Sequence, residues 1–224
     1  MIRLINKYKL FISLWLIGSV IVLYLFKDAL TPKNKLPVFQ PAMVNYELVD
    51  STLQFVKKFH KISDFKLINQ NGKVVTNSDY ENKIYVADFF FTTCPSICPI
   101  MTDNMIKIQK KIIDDPNVLL LSHSVTPKID SVEQLKRYSI EKGVIDSKWN
   151  LVTGDKKQIY ELARKSYLCV KNDGDGGPYD LIHTENFILI DPDRRIRGFY
   201  DGTDIEEIKK LIKDIFILKE EYFS

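Results

Sequence analysis

Cys94 and Cys98 stand four residues apart in the run Thr93-Cys94-Pro95-Ser96-Ile97-Cys98-Pro99. On a tight turn that separation brings two Cα atoms within the roughly 4.4–6.8 Å a disulfide requires. The same spacing lets two thiolates share one metal ion. An inert disulfide or a pair of buried thiols is the structural alternative. The run follows the apolar stretch Ile84–Phe91 (IYVADFFF) and precedes helical spacing, so it falls at the carboxyl end of a strand, where ligands and chemistry collect in open α/β sheets. Pro99 suits the first helical position, because its missing N–H would have no partner there. Cys98 then lies at or near the N-cap, where the helix dipole favours a thiolate.

Two further residues bear on this centre. Asp88 is an acid inside an otherwise apolar strand, six residues before Cys94, and a carboxylate there is costly unless paired, protonated or at an edge that reaches water. His183, in Leu181-Ile182-His183-Thr184, precedes the apolar stretch Phe187–Asp191 and follows Lys171–Pro178, a loop with three glycines. Other chemistry-bearing residues carry weaker expectations. Cys169 reads as a buried small hydrophobe. Met101 and Met105 share helical spacing with Ile108 and Ile112 and read as core. His123 lies at the active-site end of its strand, and His60 reads as exposed. Residues Asn172–Gly176 resemble the start of a calcium loop, but the bidentate Glu is missing at the required spacing.

The elements that position these residues alternate along the chain. Asp64–Val75 alternates around Asn71-Gly72, a hairpin signal. Ile84–Phe91 and Val118–Val125 are apolar on both faces, as covered strands are. The Met101–Ile112 helix ends at Asp114-Asp115-Pro116. Ser131–Lys142 is a helix, with Ser131 and Gln134 at capping-box spacing and Gly143 past its end. A short strand at Trp149–Val152 and a helix from Asp155 to about Lys165 follow. Strands Phe187–Asp191 and Arg195–Tyr200 are joined at Pro192-Asp193, and a last helix starts at Thr203, with Glu206 three residues on. The order gives an α/β sandwich around a mixed sheet.

The chain has 224 residues, 45% hydrophobic and 27% charged, which suits one globular domain with additions. Of its 32 basic side chains, Arg3, Lys7, Lys9 and Lys27 fall in residues 1–27, where there is no acid. The rest carries 28 basic against 29 acidic side chains, a near-neutral body that argues against nucleic acid as a partner. Leu10–Phe26 is uncharged over 17 residues, roughly 26 Å as a helix and within the lower range for a membrane span. It exceeds a signal-peptide core, no A-x-A-like site follows it, and no cysteine follows that could be lipidated. Residues 1–27 therefore read as an uncleaved anchor in the lipid bilayer, 28–44 as a proline-bearing linker, and 45–224 as the domain. The basic N-terminus favours a cytoplasmic start, with the domain on the extracytoplasmic side, where thiols can be oxidised.

Over roughly residues 45–219 the sequence resembles the SCO/SenC family of membrane-tethered, thioredoxin-like copper chaperones. The resemblance is carried by Phe89–Thr102 (FFFTTCPSICPIMT), by Ser124-Val125-Thr126-Pro127, and by His183 ahead of Phe187–Pro192 (FILIDP). It implies a thioredoxin-like fold with a β-hairpin extension and an N-terminal transmembrane helix. It also implies copper held by Cys94, Cys98 and His183, and delivery to, or thiol reduction of, the dinuclear copper site of cytochrome c oxidase subunit II or a related acceptor. Asp88 stands where the thioredoxin fold keeps a buried aspartate associated with proton transfer, and His183 where that fold has its cis-proline loop. Thr126 replaces an aspartate found in many members. Soft thiolates select Cu(I), imidazole suits Cu(I) and Cu(II), and zinc would want a fourth ligand that the sequence does not supply. The competing expectation is a thiol–disulfide oxidoreductase that uses Cys94 and Cys98. Either role needs a thiol reductant as partner.

Overall fold

The apolar run Ile84–Phe90 is buried along its whole length, so helices and loops must cover the sheet on both faces. The structure is a computed structural model that describes residues 2–26, 35–170, 177 and 180–223. It divides into two units, residues 1–34 and 35–224. The described residues of the first contain one helix, α1 (Ile2–Leu25), whose window Tyr8–Leu25 is long and apolar enough to cross a membrane.

The second unit is built on a seven-stranded mixed sheet. Its strands are β1 (Lys66–Asn69), β2 (Val74–Thr76), β3 (Ile84–Phe90), β4 (Val118–Ser124), β5 (Trp149–Thr153), β6 (Asn186–Ile190) and β7 (Ile196–Asp201). They lie in the order β2-β1-β5-β4-β3-β6-β7. Strands β3, β4 and β5 are parallel, and β6 and β7 add antiparallel beside β3. The β1–β2 hairpin, turned at Gly72 with φ +72°, joins the other edge through β5. The expected hairpin extension is thus continuous with the main sheet.

Four helices complete the unit: α2 (Ile97–Lys111), α3 (Val132–Lys142), α4 (Lys156–Glu161) and α5 (Ile205–Phe223). Alternate residues of β3 feed two cores. Ile84, Val86 and Phe90 pack with Met101, Met105 and Ile108 of α2 and with Ile208 and Leu211 of α5. Tyr85, Ala87 and Phe89 face Ile159 and Tyr160 of α4 and the following Tyr167–Val170.

Capping follows the sequence at α3, where the Ser131 hydroxyl accepts from Gln134 N–H and Gly143 closes the helix at φ +77°. Two expectations are corrected. The helix after Asp155 ends at Glu161 and continues as one π turn, Leu162–Ser166, in which Tyr167 N–H reaches the Leu162 carbonyl. The last helix is capped by Asp204, whose carboxylate accepts from Glu206 N–H, while the Thr203 hydroxyl donates to Asp201 instead.

Arg197 on β7 is a core residue that strand periodicity does not flag. Its buried guanidinium donates to the Leu36 and Pro37 carbonyls and pairs with Asp191 and Glu221, at 3.0 and 2.7 Å. It binds the incoming chain, the β6–β7 turn and the end of α5 into one cluster. Arg197→Leu leaves Asp191 its bonds from Arg195 and Tyr222 but removes the donor to the Leu36 and Pro37 carbonyls and to Glu221, and should lower stability by about 1–3 kcal/mol. Lys209→Ala, which removes an exposed pair with Glu206, should stay within about 0.5 kcal/mol. Urea unfolding of residues 35–224 measures both.

Candidate metal and redox centre

The chain leaves β3 at Phe91, and the two cysteines follow at once. Cys94 N–H bonds the Phe91 carbonyl at 3.3 Å, and Ser96 is the N-cap of α2. Ile97 is therefore the first helical residue, Cys98 the second and Pro99 the third, so the helix begins two residues earlier than the sequence suggests. Both thiols are free and buried.

Their acidities are split, opposite to the expectation that the dipole would favour Cys98. Burial pushes the Cys94 thiol up, but the backbone N–H groups of Ser96 and Cys98, the Cys98 thiol and the Ser96 hydroxyl at 3.7 Å outweigh it, bringing it down to about 7. Burial pushes Cys98 up to about 12, with the neighbouring Cys94 and Asp88 adding to the rise. Cys98 also has a backbone hydrogen bond, at Phe91, but its deeper burial outweighs that bond, so depth of burial matters more than position on the helix.

Asp88 is buried on the same sheet face, opposite Ser122 of β4. Burial raises its carboxyl to about 7 and the Ser122 hydroxyl opposes this, while Oδ1 has no hydrogen-bond partner. The edge-strand alternative is excluded, because β3 is central. His123 is on the other face, stacked on Phe89 at 4.7 Å, with Nδ1 3.2 Å from the Asp88 carbonyl oxygen. Burial holds it neutral, down to about 4, and it takes no part in the thiol centre. His60, expected at the surface, is half-buried and bonds the Ser166 carbonyl at 2.8 Å. Cys169 is buried as expected, its thiol 3.6 Å from the Ala163 carbonyl oxygen.

His183 comes to the same end of β3 as the cysteines. Its ring meets the edge of Phe91 with centroids 6.1 Å apart, and the side chain is exposed. The chain on both sides of it is moored. Before it, Asp180 pairs with Arg164, and its carbonyl accepts from Lys156 and Tyr160 at 2.6 and 3.0 Å. After it, the Thr184 hydroxyl and Asn186 amide donate to the Cys169 carbonyl. The structure brings the two cysteines together and sets His183 against Phe91, three residues before Cys94; among the described residues, no three His, Cys, Asp or Glu side chains stand close enough to hold a metal ion. The glycine loop Lys171–Pro178 and the run Asn172–Gly176 lie outside the described residues, apart from Gly177.

Asp130 is the supporting residue that sequence reading missed. Its buried carboxylate accepts from the Thr92 hydroxyl at 2.6 Å, Ser124 at 2.5 Å and Thr126 at 3.0 Å. It thereby ties the end of β3 to the end of β4 just before α3. Thr126, which stands where many family members have an acid, is bonded to a carboxylate four residues on. The only local signal was an acid at the helix-cap boundary Asp130-Ser131.

With this geometry in place, the comparisons with known proteins are specific. The SCO1/SenC family profile matches residues 54–218. The chain belongs to the SCO1/SenC family. A SCO1 homologue of Bacillus subtilis is 31% identical over 158 residues, covering 70% of this chain and 81% of that one. Among solved structures, BsSco, a member of the Sco family of cytochrome c oxidase assembly proteins with an identified disulfide switch, shares 30% identity at a TM-score of 0.62. That match covers 72% of this chain and 94% of BsSco. Copper-bound ScoI of Arabidopsis thaliana shares 27% identity at a TM-score of 0.55, covering 69% and 97%. The mixed α/β sheet is the thioredoxin-like fold of these Sco structures.

Two outcomes test the electrostatics of the site. Alkylation of the reduced protein should rise with a midpoint near pH 7 and lose that phase in Cys94→Ala. Asp88 keeps its proton in the folded chain up to about pH 7 but releases it near 3.8 when unfolded. Its contribution is full below the unfolded value and is lost as pH rises through the folded one. Wild type should therefore lose up to about 4 kcal/mol relative to Asp88→Asn as pH rises from about 4 to about 7, measured by urea unfolding.

Proposed function

We propose that the protein is a membrane-anchored copper metallochaperone in which Cys94, Cys98 and His183 hold copper. Its acceptor on this reading is the dinuclear copper site of cytochrome c oxidase subunit II, or a related site, which it loads with copper or keeps reduced. The observation that supports the reading is the free thiol pair at the end of β3, with the exposed His183 ring against Phe91 at that same end. Two thiolates and an imidazole suit Cu(I), and the imidazole extends the set to Cu(II). On this reading α1 spans the cytoplasmic membrane once, with the domain on the extracytoplasmic side and the basic N-terminus inside.

Copper is cargo here, so the site must both fill and empty. Cys94 offers a thiolate near neutral pH, while Cys98 must give up its proton on binding, and uptake therefore strengthens as pH rises. Closing the set requires His183 to turn from Phe91 towards the sulfurs. Turning back removes one ligand and opens the ion to an acceptor. A Cys94–Cys98 disulfide has no thiolate to offer, which makes a thiol reductant an obligatory partner.

The split acidities also favour a second reading, extracytoplasmic thiol–disulfide exchange. Cys94 would attack a partner disulfide as the thiolate, and Cys98 would then resolve the mixed disulfide. This chemistry leaves His183 without a role, and in either case the Asp88 carboxyl opposes ionisation of Cys98.

Anaerobic titration of reduced residues 35–224 decides between the two. One tight equivalent of Cu(I), weakened in Cys94→Ala and Cys98→Ala, supports the chaperone. His183→Ala should keep a weaker Cu(I) site and lose Cu(II), seen as loss of the thiolate-to-copper absorption. No tight copper, together with reduction of a disulfide substrate through the same cysteines, would transfer the assignment to the oxidoreductase.

A further inference from the structure

Ahead of β1 the chain folds into an irregular segment, and it carries the most exposed large apolar side chains among the described residues. Phe59 is 92% exposed and Phe55 85%, whereas no described large apolar side chain of α1 exceeds 77%. Met43 and Tyr46 are exposed beside them. Soluble surfaces carry scattered apolar residues, but two fully presented phenylalanines within five positions are not the usual scatter.

The exposure is built in, because the backbone beneath the rings is fixed. Ala42 N–H donates to the Val56 carbonyl, Gln54 Nε2 to the Tyr46 carbonyl, and His60 N–H to Gln40 Oε1. Val49 and Ile62 are buried in the core on either side, and the His60 ring is held on the Ser166 carbonyl. Phe59 also adopts φ +68°, a left-handed conformation that a bulky residue rarely takes, and it turns its ring outward. The alternative of collapsing these rings onto the core is closed by the hydrogen bonds on each side.

The surrounding charge selects what could cover them. Lys57, Lys58 and Lys61 are exposed, and residues 53–61 (LQFVKKFHK) contain no acid. Asp50 is buried and occupied by Thr52, which leaves Glu47 as the acid beside Tyr46. Aromatic rings interleaved with lysines are the composition of a surface that enters the headgroup layer of an anionic bilayer.

We propose that Met43, Tyr46, Phe55 and Phe59 with Lys57, Lys58 and Lys61 form a second, reversible contact with anionic phospholipid. The proposal rests on the reading of α1 as a membrane anchor, which supplies the occupant. Met43 lies eighteen residues after Leu25, and a chain of that length reaches at most about 60 Å. Tethering turns the contact into an intramolecular event at high effective concentration, so a weak patch suffices. Leu48 of the same segment lines a cleft with Ile182 and His183. Leu48 thus lies toward the His183 end of the domain, while the Phe59 end is tied through Ile62 N–H to the Arg194 carbonyl in the β6–β7 turn, at the end of the sheet away from the cysteines.

The test uses residues 35–224, which carry both cores and their own sheet and so need no anchor to fold. The fragment should float with vesicles of phosphatidylcholine containing phosphatidylglycerol, and not with phosphatidylcholine alone. Raised salt should weaken the binding. Phe55→Ser/Phe59→Ser and Lys57→Glu/Lys58→Glu should each reduce it about tenfold or more, with the urea midpoint and copper stoichiometry unchanged. A wild-type fragment that stays off anionic vesicles, or variants that bind as well as wild type, would overturn the proposal. So would a fragment that pairs with a second copy through Phe55 and Phe59 without binding lipid. Alkaline extraction of the full chain tests the anchor separately: release from the membrane refutes α1 as a span while leaving the vesicle result to be read by itself.

Discussion

Every side chain of β3 is buried, and the site follows from that burial. A strand covered on both faces has no lateral exit, so the chain must turn at its end, and the turn at Phe91–Ser96 carries Cys94 and leads directly to Cys98 in the first turn of α2. The Asp130 carboxylate then fixes where the turn sits, by accepting from Thr92 at the end of β3 and from Ser124 and Thr126 at the end of β4. Without that carboxylate, three buried or half-buried donors at neighbouring strand ends would compete for water, and the start of the turn would lose its position. The constraint is geometric, and the chemistry is placed upon it.

Asp88 shows how the same burial acts on charge. A carboxyl group in this central strand keeps its proton near neutrality because little near it compensates an anion; the Ser122 hydroxyl offsets burial only in part. The buried Cys98 thiol is held protonated by the same low-dielectric surroundings, and each group disfavours ionisation of the other. Cys94, at the rim of the turn, reaches backbone N–H groups and escapes this. One sulfur is thus ready as a thiolate while the other waits for a ligand or an electrophile to take its proton's place. That asymmetry serves metal capture and disulfide exchange alike, and it is His183 that separates the two.

His183 and the segment ahead of β1 share a corner of the domain. The imidazole is held at the site's edge by restraints on both of its chain neighbours, from α4 on one side and from the Cys169 carbonyl on the other. Cys169 contributes through its backbone, while its thiol stays in the core. Leu48, beside this corner, begins the stretch that ends in the outward-facing Phe55 and Phe59.

Local pattern determined the strand–CxxxC–helix unit, the alternation of β and α elements, the cap at Ser131 and the apolar span at the N-terminus. Each of these rests on residue spacing within one element, where periodicity and hydrogen-bond chemistry leave few options. Cys94 and Cys98 stood out for the same reason, as did Asp88 as an acid out of place in an apolar strand, whereas His183 was singled out only by the family resemblance and its place in the strand order. What the sequence did not contain was which groups meet across elements. Asp130 and Arg197 look like ordinary surface charges until β3, β4 and α3, or β6, β7 and α5, converge around them. The start of α2 at Ile97, the outward path of Phe59 and the acidity of the two thiols were likewise decided by the fold. They depend on which backbone N–H faces which sulfur and on which hydrogen bonds hold the chain, distances that exist only once the sheet has closed.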